Sequence, residues 1–131
     1  MNITNRVPLT TNEINSFLKG IDFKLPEGYI EFLEKANGAE IYFEENYIRL
    51  FPLNDIIQWN KDYELDIYAP DYFLFGSDGG GNAFFIERKS CKIFQIPFEA
   101  MSEAQEYGIH MGDNFDDFLL KLGRNTIITY S

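Results

Sequence analysis

Cysteine is almost missing from this chain. Cys91 stands alone, which excludes an intrachain disulfide framework and fits a reducing compartment. Histidine is equally scarce. His110 has no second histidine or cysteine at metal-ligand spacing, so no zinc or other metal site is expected. Long apolar runs are absent too, which argues against a membrane-spanning helix. The opening Met1-Asn-Ile-Thr-Asn-Arg-Val-Pro8 lacks the basic and apolar regions of a signal peptide. The expectation is a soluble, cytoplasmic protein. Positive charge is in short supply: 11 Lys and Arg face 21 Asp and Glu, a formal net charge of −10. Nucleic acid and anionic membrane are bound through Lys and Arg, so neither is expected as a partner. A basic protein, or no specific partner, is what remains. Linkers, repeats and low-complexity tracts are missing as well, and residues 1–131 read as a single domain large enough to bury a core.

What is abundant is aromatic. Thirteen Phe and eight Tyr sit in a chain that is 45% hydrophobic, the composition of a globular protein. The most informative stretch is Asp71 to Glu87. Two runs of β-favouring residues, Tyr72 to Phe75 and Ala83 to Ile86, flank Gly76-Ser77-Asp78-Gly79-Gly80-Gly81-Asn82. That pattern predicts a β-hairpin whose connection needs positive φ. The alternative is a glycine loop that cradles an anion. A phosphate loop requires Lys-Ser or Lys-Thr and a following helix, whereas Ala83-Phe84-Phe85-Ile86 continues as strand. The glycine spacing opens no dinucleotide-binding helix, and Asp78 lacks the alternating oxygen ligands of a calcium loop. The structural turn is the preferred reading.

Three segments carry the i, i+3, i+4, i+7 stripe of an amphipathic helix: Ile14, Phe17, Leu18, Ile21; Tyr29, Phe32, Leu33, Ala36; and Phe115, Phe118, Leu119, Leu122. Thr10 with Glu13 predicts a capping box. Pro26 suits the first turn of the second helix, and Gly38 a left-handed C-cap. Asp113 is the expected N-cap of the third, and Gly123 its terminator. Between the helices, Glu40 to Glu44 and Tyr47 to Phe51 predict a hairpin around Glu45-Asn46. Residues 72–76, 83–88 and 92–96 predict an antiparallel meander, with a turn near Lys89-Ser90. A further helix is expected from Asp55 to Tyr63, with Ile56, Trp59, Asn60 and Tyr63 on one face and Pro70 preventing continuation. The class is α+β: a central antiparallel sheet flanked by N-terminal and C-terminal helices.

No catalytic constellation emerges. Cys91 beside Lys92 has a route to a lowered pKa, yet on a strand its side chain is equally suited to the core. His110, between Gly108 and Gly112, is expected in a loop. A Cys91–His110 pair lacks any recognisable orienting or oxyanion element. Gly76-Ser77-Asp78-Gly79 is one residue short of a nucleophile elbow, and Asp116 and Asp117, adjacent on a helix, diverge. Neither catalytic nor cofactor-binding residues are expected.

The order of three blocks resembles the SUKH superfamily, domains related to a yeast cell-wall-synthesis regulator and to bacterial toxin-immunity proteins. The blocks are Leu25-Pro26-x-x-Tyr29-x-x-Phe32-Leu33-x-x-x-Asn37-Gly38, Phe75-Gly76-Ser77-Asp78-Gly79-Gly80-Gly81, and Ile109 followed by Phe115-x-x-Phe118-Leu119. The likeness runs from about Thr10 to Leu122. It implies a mixed α+β domain with one antiparallel sheet, and a non-enzymatic role. Bacterial members are encoded beside secreted polymorphic toxins, often nucleases, and neutralise them in the cytosol. The resemblance therefore implies a cognate toxin, basic and of the nuclease class, as partner. A regulatory interaction domain without a toxin partner is the alternative. A small-ligand module would instead announce itself by a closed apolar pocket.

Charge distribution suggests where a partner would dock. Residues 41–80 hold eight acids against Arg49 and Lys61, and so supply −6 of the −10. Glu44 and Glu45 are expected at a hairpin tip, Asp62, Glu64 and Asp66 between a helix end and Pro70, and Asp71 and Asp78 around the glycine hairpin. Tyr63 and Tyr68 are candidate aromatic anchors among them. The bland alternative is an acidic face that only keeps the domain in solution.

Overall fold

Thr10 accepts a hydrogen bond from the Glu13 N–H at 3.2 Å while the Glu13 carboxylate accepts from the Thr10 N–H at 3.1 Å. This reciprocal box starts helix α1 (Thr11–Leu18). Helix α2 (Glu27–Lys35) follows Pro26 and buries Tyr29, Phe32 and Leu33. In this computed structural model the described residues are 9–21, 23–43, 46–121 and 127–130. The later elements are β1 (Ala39–Phe43), β2 (Asn46–Leu50), α3 (Leu53–Asp62), α4 (Leu65–Tyr68), β3 (Tyr72–Ser77), β4 (Asn82–Glu87) and β5 (Ile93–Pro97). A 3-10 turn (Phe98–Glu103), α5 (Ala104–Tyr107), β6 (Ile109–Gly112), α6 (Phe115–Lys121) and β7 (Ile127–Tyr130) complete the order.

The strands form one antiparallel sheet in the order β6-β5-β4-β3-β2-β1-β7. Four consecutive residues of β4, Ala83 to Ile86, are buried, as are five of β3, Tyr72 to Gly76. Successive strand side chains point to opposite faces, so the centre of the sheet is covered on both. On one face, Phe75 meets Tyr29, Phe115 and Phe118, and Phe84 meets Phe118. That face packs on α2 and α6. Tyr72, Phe85 and Phe94 form edge-to-face pairs at 6.0–6.2 Å on the other. The Tyr29 hydroxyl is buried without a hydrogen-bond partner among the described residues. Burial holds its pKa far above the usual phenol range and keeps it neutral.

The β3–β4 hairpin is present as the sequence predicts. Its register shifts between Leu74 and Gly76, which leaves Phe75 as the extra residue of a bulge. Gly79 adopts φ +77. Asp78 builds the rest of the turn: Oδ1 accepts from the N–H groups of Gly80 (2.8 Å) and Asn82 (3.2 Å), and Oδ2 accepts from Asn82 Nδ2 at 2.9 Å. Gly76 answers a close approach instead. A Cβ there would stand 2.7 Å from the Arg49 carbonyl oxygen, against the strand beside it.

Several expectations need correction. Helix α6 is capped by Asn114, whose Oδ1 accepts from the Asp117 N–H at 2.8 Å; Asp113 lies one residue outside. Gly38 has φ +100 but follows a helix that already ended at Lys35, with extended Ala36 as its cap. Asn37 does the more telling work between them. Its Oδ1 accepts from the Leu53 N–H at 2.7 Å, so a loop residue caps α3 from a distance where Pro52 offers no side-chain acceptor. Helix α3 starts two residues earlier than expected, and it ends well before Pro70 because Glu64 turns left-handed at φ 52. His110 lies on β6, not in a loop. Cys91 is in the β4–β5 turn at φ 63, not on a strand. Strands β6 and β7 extend the sheet beyond the expected strands. Leu122, Gly123 and the turn at Glu44 and Glu45 lie outside the described residues.

Candidate protein-docking surface

Strand β2 pairs with β3 only at Arg49–Ser77 and Leu50–Gly76. The Phe51 N–H still donates to the Phe75 carbonyl at 3.0 Å, and then the chain leaves at Pro52 to form α3. Asn60 of α3 fills the gap. Its Nδ2 donates to the Leu74 carbonyl and its Oδ1 accepts from the Leu74 N–H, both at 3.0 Å. One amide side chain thus replaces a strand residue, since it carries the same donor and acceptor as a peptide group. This clamp sets α3 and α4 beside the sheet and fixes which of their residues face outward.

The positions expected to bind a partner divide into neighbourhoods. Asp62 is exposed near the end of α3 and accepts from Gln58 Nε2 at 2.7 Å. Glu64 and Asp66 edge an open groove of about 940 Å³ whose walls include Ile57, Lys61, Ile67 and Lys19. Tyr68 and Asp71 border a smaller hollow of about 310 Å³ against the segment from Met101 to Glu106. Tyr63 is half-buried, stacked between Trp59 (5.7 Å) and Phe98 (5.1 Å); Trp59 in turn stacks on Phe51 at 5.3 Å. It is a member of a four-ring column. Asp78 is spent on its turn. Burial opposes its charge, but the bonds from Asn82 and Gly80 outweigh it and hold the carboxyl below the usual range. Glu44 and Glu45 lie outside the described residues.

Sequence reasoning missed three contributors to this surface: Trp59 as an exposed ring, and Glu103 and Glu106 on the segment after β5. A Trp on a helix with polar neighbours signals the first. The two glutamates carried no signal, because tertiary packing alone brings their segment beside Tyr68 and Asp71. The acid–tyrosine cluster on β1 and β2 is self-contained. Tyr47 donates to Glu40 Oε1 at 2.9 Å, and its pKa is pushed up to about 12 by burial and then by that bond.

The residues weighed for chemistry are engaged separately. Cys91 Sγ lies 3.6 Å from the Lys24 carbonyl oxygen, while His110 Nε2 lies 3.0 Å from Asp113 Oδ1. Asp117 takes the Asp113 N–H at 2.8 Å and Lys121 at 3.2 Å, and these, the backbone bond first, hold its pKa below the usual range. Among the described residues no group of three His, Cys, Asp or Glu is arranged to hold a metal. No described helix is long and apolar enough to cross a membrane.

An antiparallel meander turning at Gly79, helices before and after it and an Asn37-Gly38 junction are thus in place. The description "SMI1 / KNR4 family (SUKH-1)" matches residues 8–121. The chain belongs to this family. No curated protein matches it significantly. In this SUKH domain, the blocks Asn37-Gly38 and Gly76 to Gly81 hold α3 and the central hairpin in place. Strand β7 lies beyond the matched span and adds an edge strand beside β1.

Proposed function

We propose that this SUKH domain is a bacterial immunity protein, acting in the cytoplasm as a stoichiometric, non-enzymatic inhibitor. It binds and neutralises a cognate polymorphic toxin, a basic nuclease. Residues 1–131 act as one module in this reading. The observation that carries it, beside the family, is the exposed segment from Asp62 to Asp71. Ile67 and Tyr68, 66% and 53% exposed, stand there among the exposed acids Asp62, Glu64, Asp66 and Asp71. Large apolar side chains left in water beside a charged rim, acidic around Tyr68 and mixed with Lys19 and Lys61 around Ile67, are the composition of an interface. An acidic rim would also speed encounter with a basic enzyme. Both hollows on this side open to solvent, which favours protein docking over a small-ligand module.

The test is co-expression with the toxin domain encoded by the adjacent gene. A one-to-one complex that abolishes the toxin's nuclease activity is expected. An isolated domain that leaves the toxin active would leave the regulatory interaction domain as the better reading.

A further inference from the structure

The hollow between α4 and α5 carries a more specific chemistry than the acidic surface around it. Its walls include Tyr68, Asp71, Tyr72, Met101, Glu103 and Glu106. Asp71, Glu103 and Glu106 are all exposed, and among the described residues no lysine or arginine lines the hollow. Tyr72 closes the floor, held edge-on by Phe85 and Phe94. The Tyr68 ring is 53% exposed and takes part in none of the ring pairs that occupy the neighbouring aromatics. The rings of Phe51, Trp59, Tyr63 and Phe98 form an offset stack, with interplanar angles of 14°, 14° and 29°. Trp59 and Tyr63 are each flanked by two rings of that column, which leaves them less open to a cation. Tyr68, exposed and unstacked on the wall of the hollow, is the ring open to one.

We infer that this hollow receives an arginine side chain from a basic protein partner, with the partner's adjoining surface lying along the Trp59–Tyr63–Phe98 strip. The guanidinium is planar and weakly hydrated, so it suits a site offering an aromatic face and several carboxylates at once. Its aliphatic stem has Met101 to lie against. Charge complementarity selects this occupant: a hollow with three carboxylates and no cation disfavours an acidic or purely apolar segment. The inference rests on the proposed role as a binder of a basic toxin, and names the contact through which that toxin would be held.

The probe is a blocked tripeptide, acetyl-Gly-Arg-Gly-amide, titrated into the isotopically labelled domain and followed by amide chemical shifts. The same peptide with citrulline in place of arginine preserves shape and removes charge. Saturable shifts confined to residues 68–72 and 101–106, stronger for arginine than for citrulline, are expected. The double variant Glu103→Gln, Glu106→Gln should weaken the arginine peptide about tenfold, while Glu31→Gln, Glu34→Gln on α2 should leave it unchanged. Equal binding of the citrulline peptide, shifts spread over the acidic surface, or equal losses in both double variants would overturn the assignment. The peptide needs no toxin, so this result is independent of the co-expression outcome. A toxin complex with a silent hollow sinks only the arginine contact, and a responsive hollow without a complex sinks only the toxin.

Discussion

Gly79, at φ +77, has Tyr47 ring carbons 3.3 Å from where a Cβ would stand. A side chain there meets both backbone strain and a neighbour. Gly81 has open space and no left-handed requirement. Gly79→Ala is therefore expected to cost about 1–2 kcal/mol, and Gly81→Ala to be neutral or stabilising by about 0.5 kcal/mol. Urea midpoints of the two variants check this, and equal effects would show the turn to be set by something else. Asp78 gives a pH-dependent counterpart. Its folded pKa is depressed, so its contribution is complete above the unfolded value of about 3.9 and is lost as pH falls through the folded value. Asp78→Asn should cost about 1 kcal/mol at pH 7, allowing for solvent screening of charge-assisted bonds. That gap should narrow as pH falls below about 3.9. A gap constant from pH 7 to pH 3 would remove charge from the explanation.

At the scale of elements, the informative case is α3. Ile56, Trp59, Asn60 and Tyr63 share one side of this helix, and the stripe alone predicts that it is an apolar contact. Asn60 is the member that does not belong, and the structure gives its reason: it completes the hydrogen bonds of Leu74 where β2 has left the sheet. Asn60→Ala should cost about 2–3 kcal/mol, because the Leu74 N–H and carbonyl lose their partners at the protected edge of β3. Hydrogen exchange should show the Leu74 amide losing protection while β4 and β5 keep theirs. Retained protection would mean that another group takes over. Helices α1 and α2 were legible because capping box, proline and stripe agree within a few residues. Strand β6 was not: Ile109-His-Met-Gly112 is short and follows a glycine, and its pairing with β5 is a long-range event with little local signature.

For the whole molecule, charge is the property with functional reach. The net −10 is spread over elements that do different things. Asp78 is consumed by a turn and Glu40 by tyrosines, while Asp62, Glu64 and Asp66 remain exposed. Asp62→Lys, Glu64→Lys, Asp66→Lys is expected to slow association with the cognate toxin about tenfold at low salt, and to flatten the salt dependence of the on-rate. Stopped-flow rates across salt concentrations check this. An on-rate and affinity unchanged at every salt concentration would take these three residues out of the interface.

The sequence by itself determined the α+β class, the helix stripes, the glycine hairpin and the acidic balance. Each of these is written in neighbours a few residues apart, where backbone freedom, side-chain periodicity and net charge act locally. Only the tertiary structure decided which surfaces the exposed acids share. It also set Tyr63, a candidate anchor, into a stacked column, and the segment from Met101 to Glu106 against Tyr68 and Asp71. The column and the hollow depend on contacts between distant segments, such as Tyr63 with Phe98, and they form once the Asn60 clamp and the Asn37 cap seat α3. No local pattern encodes them, because their energies exist only once those surfaces meet.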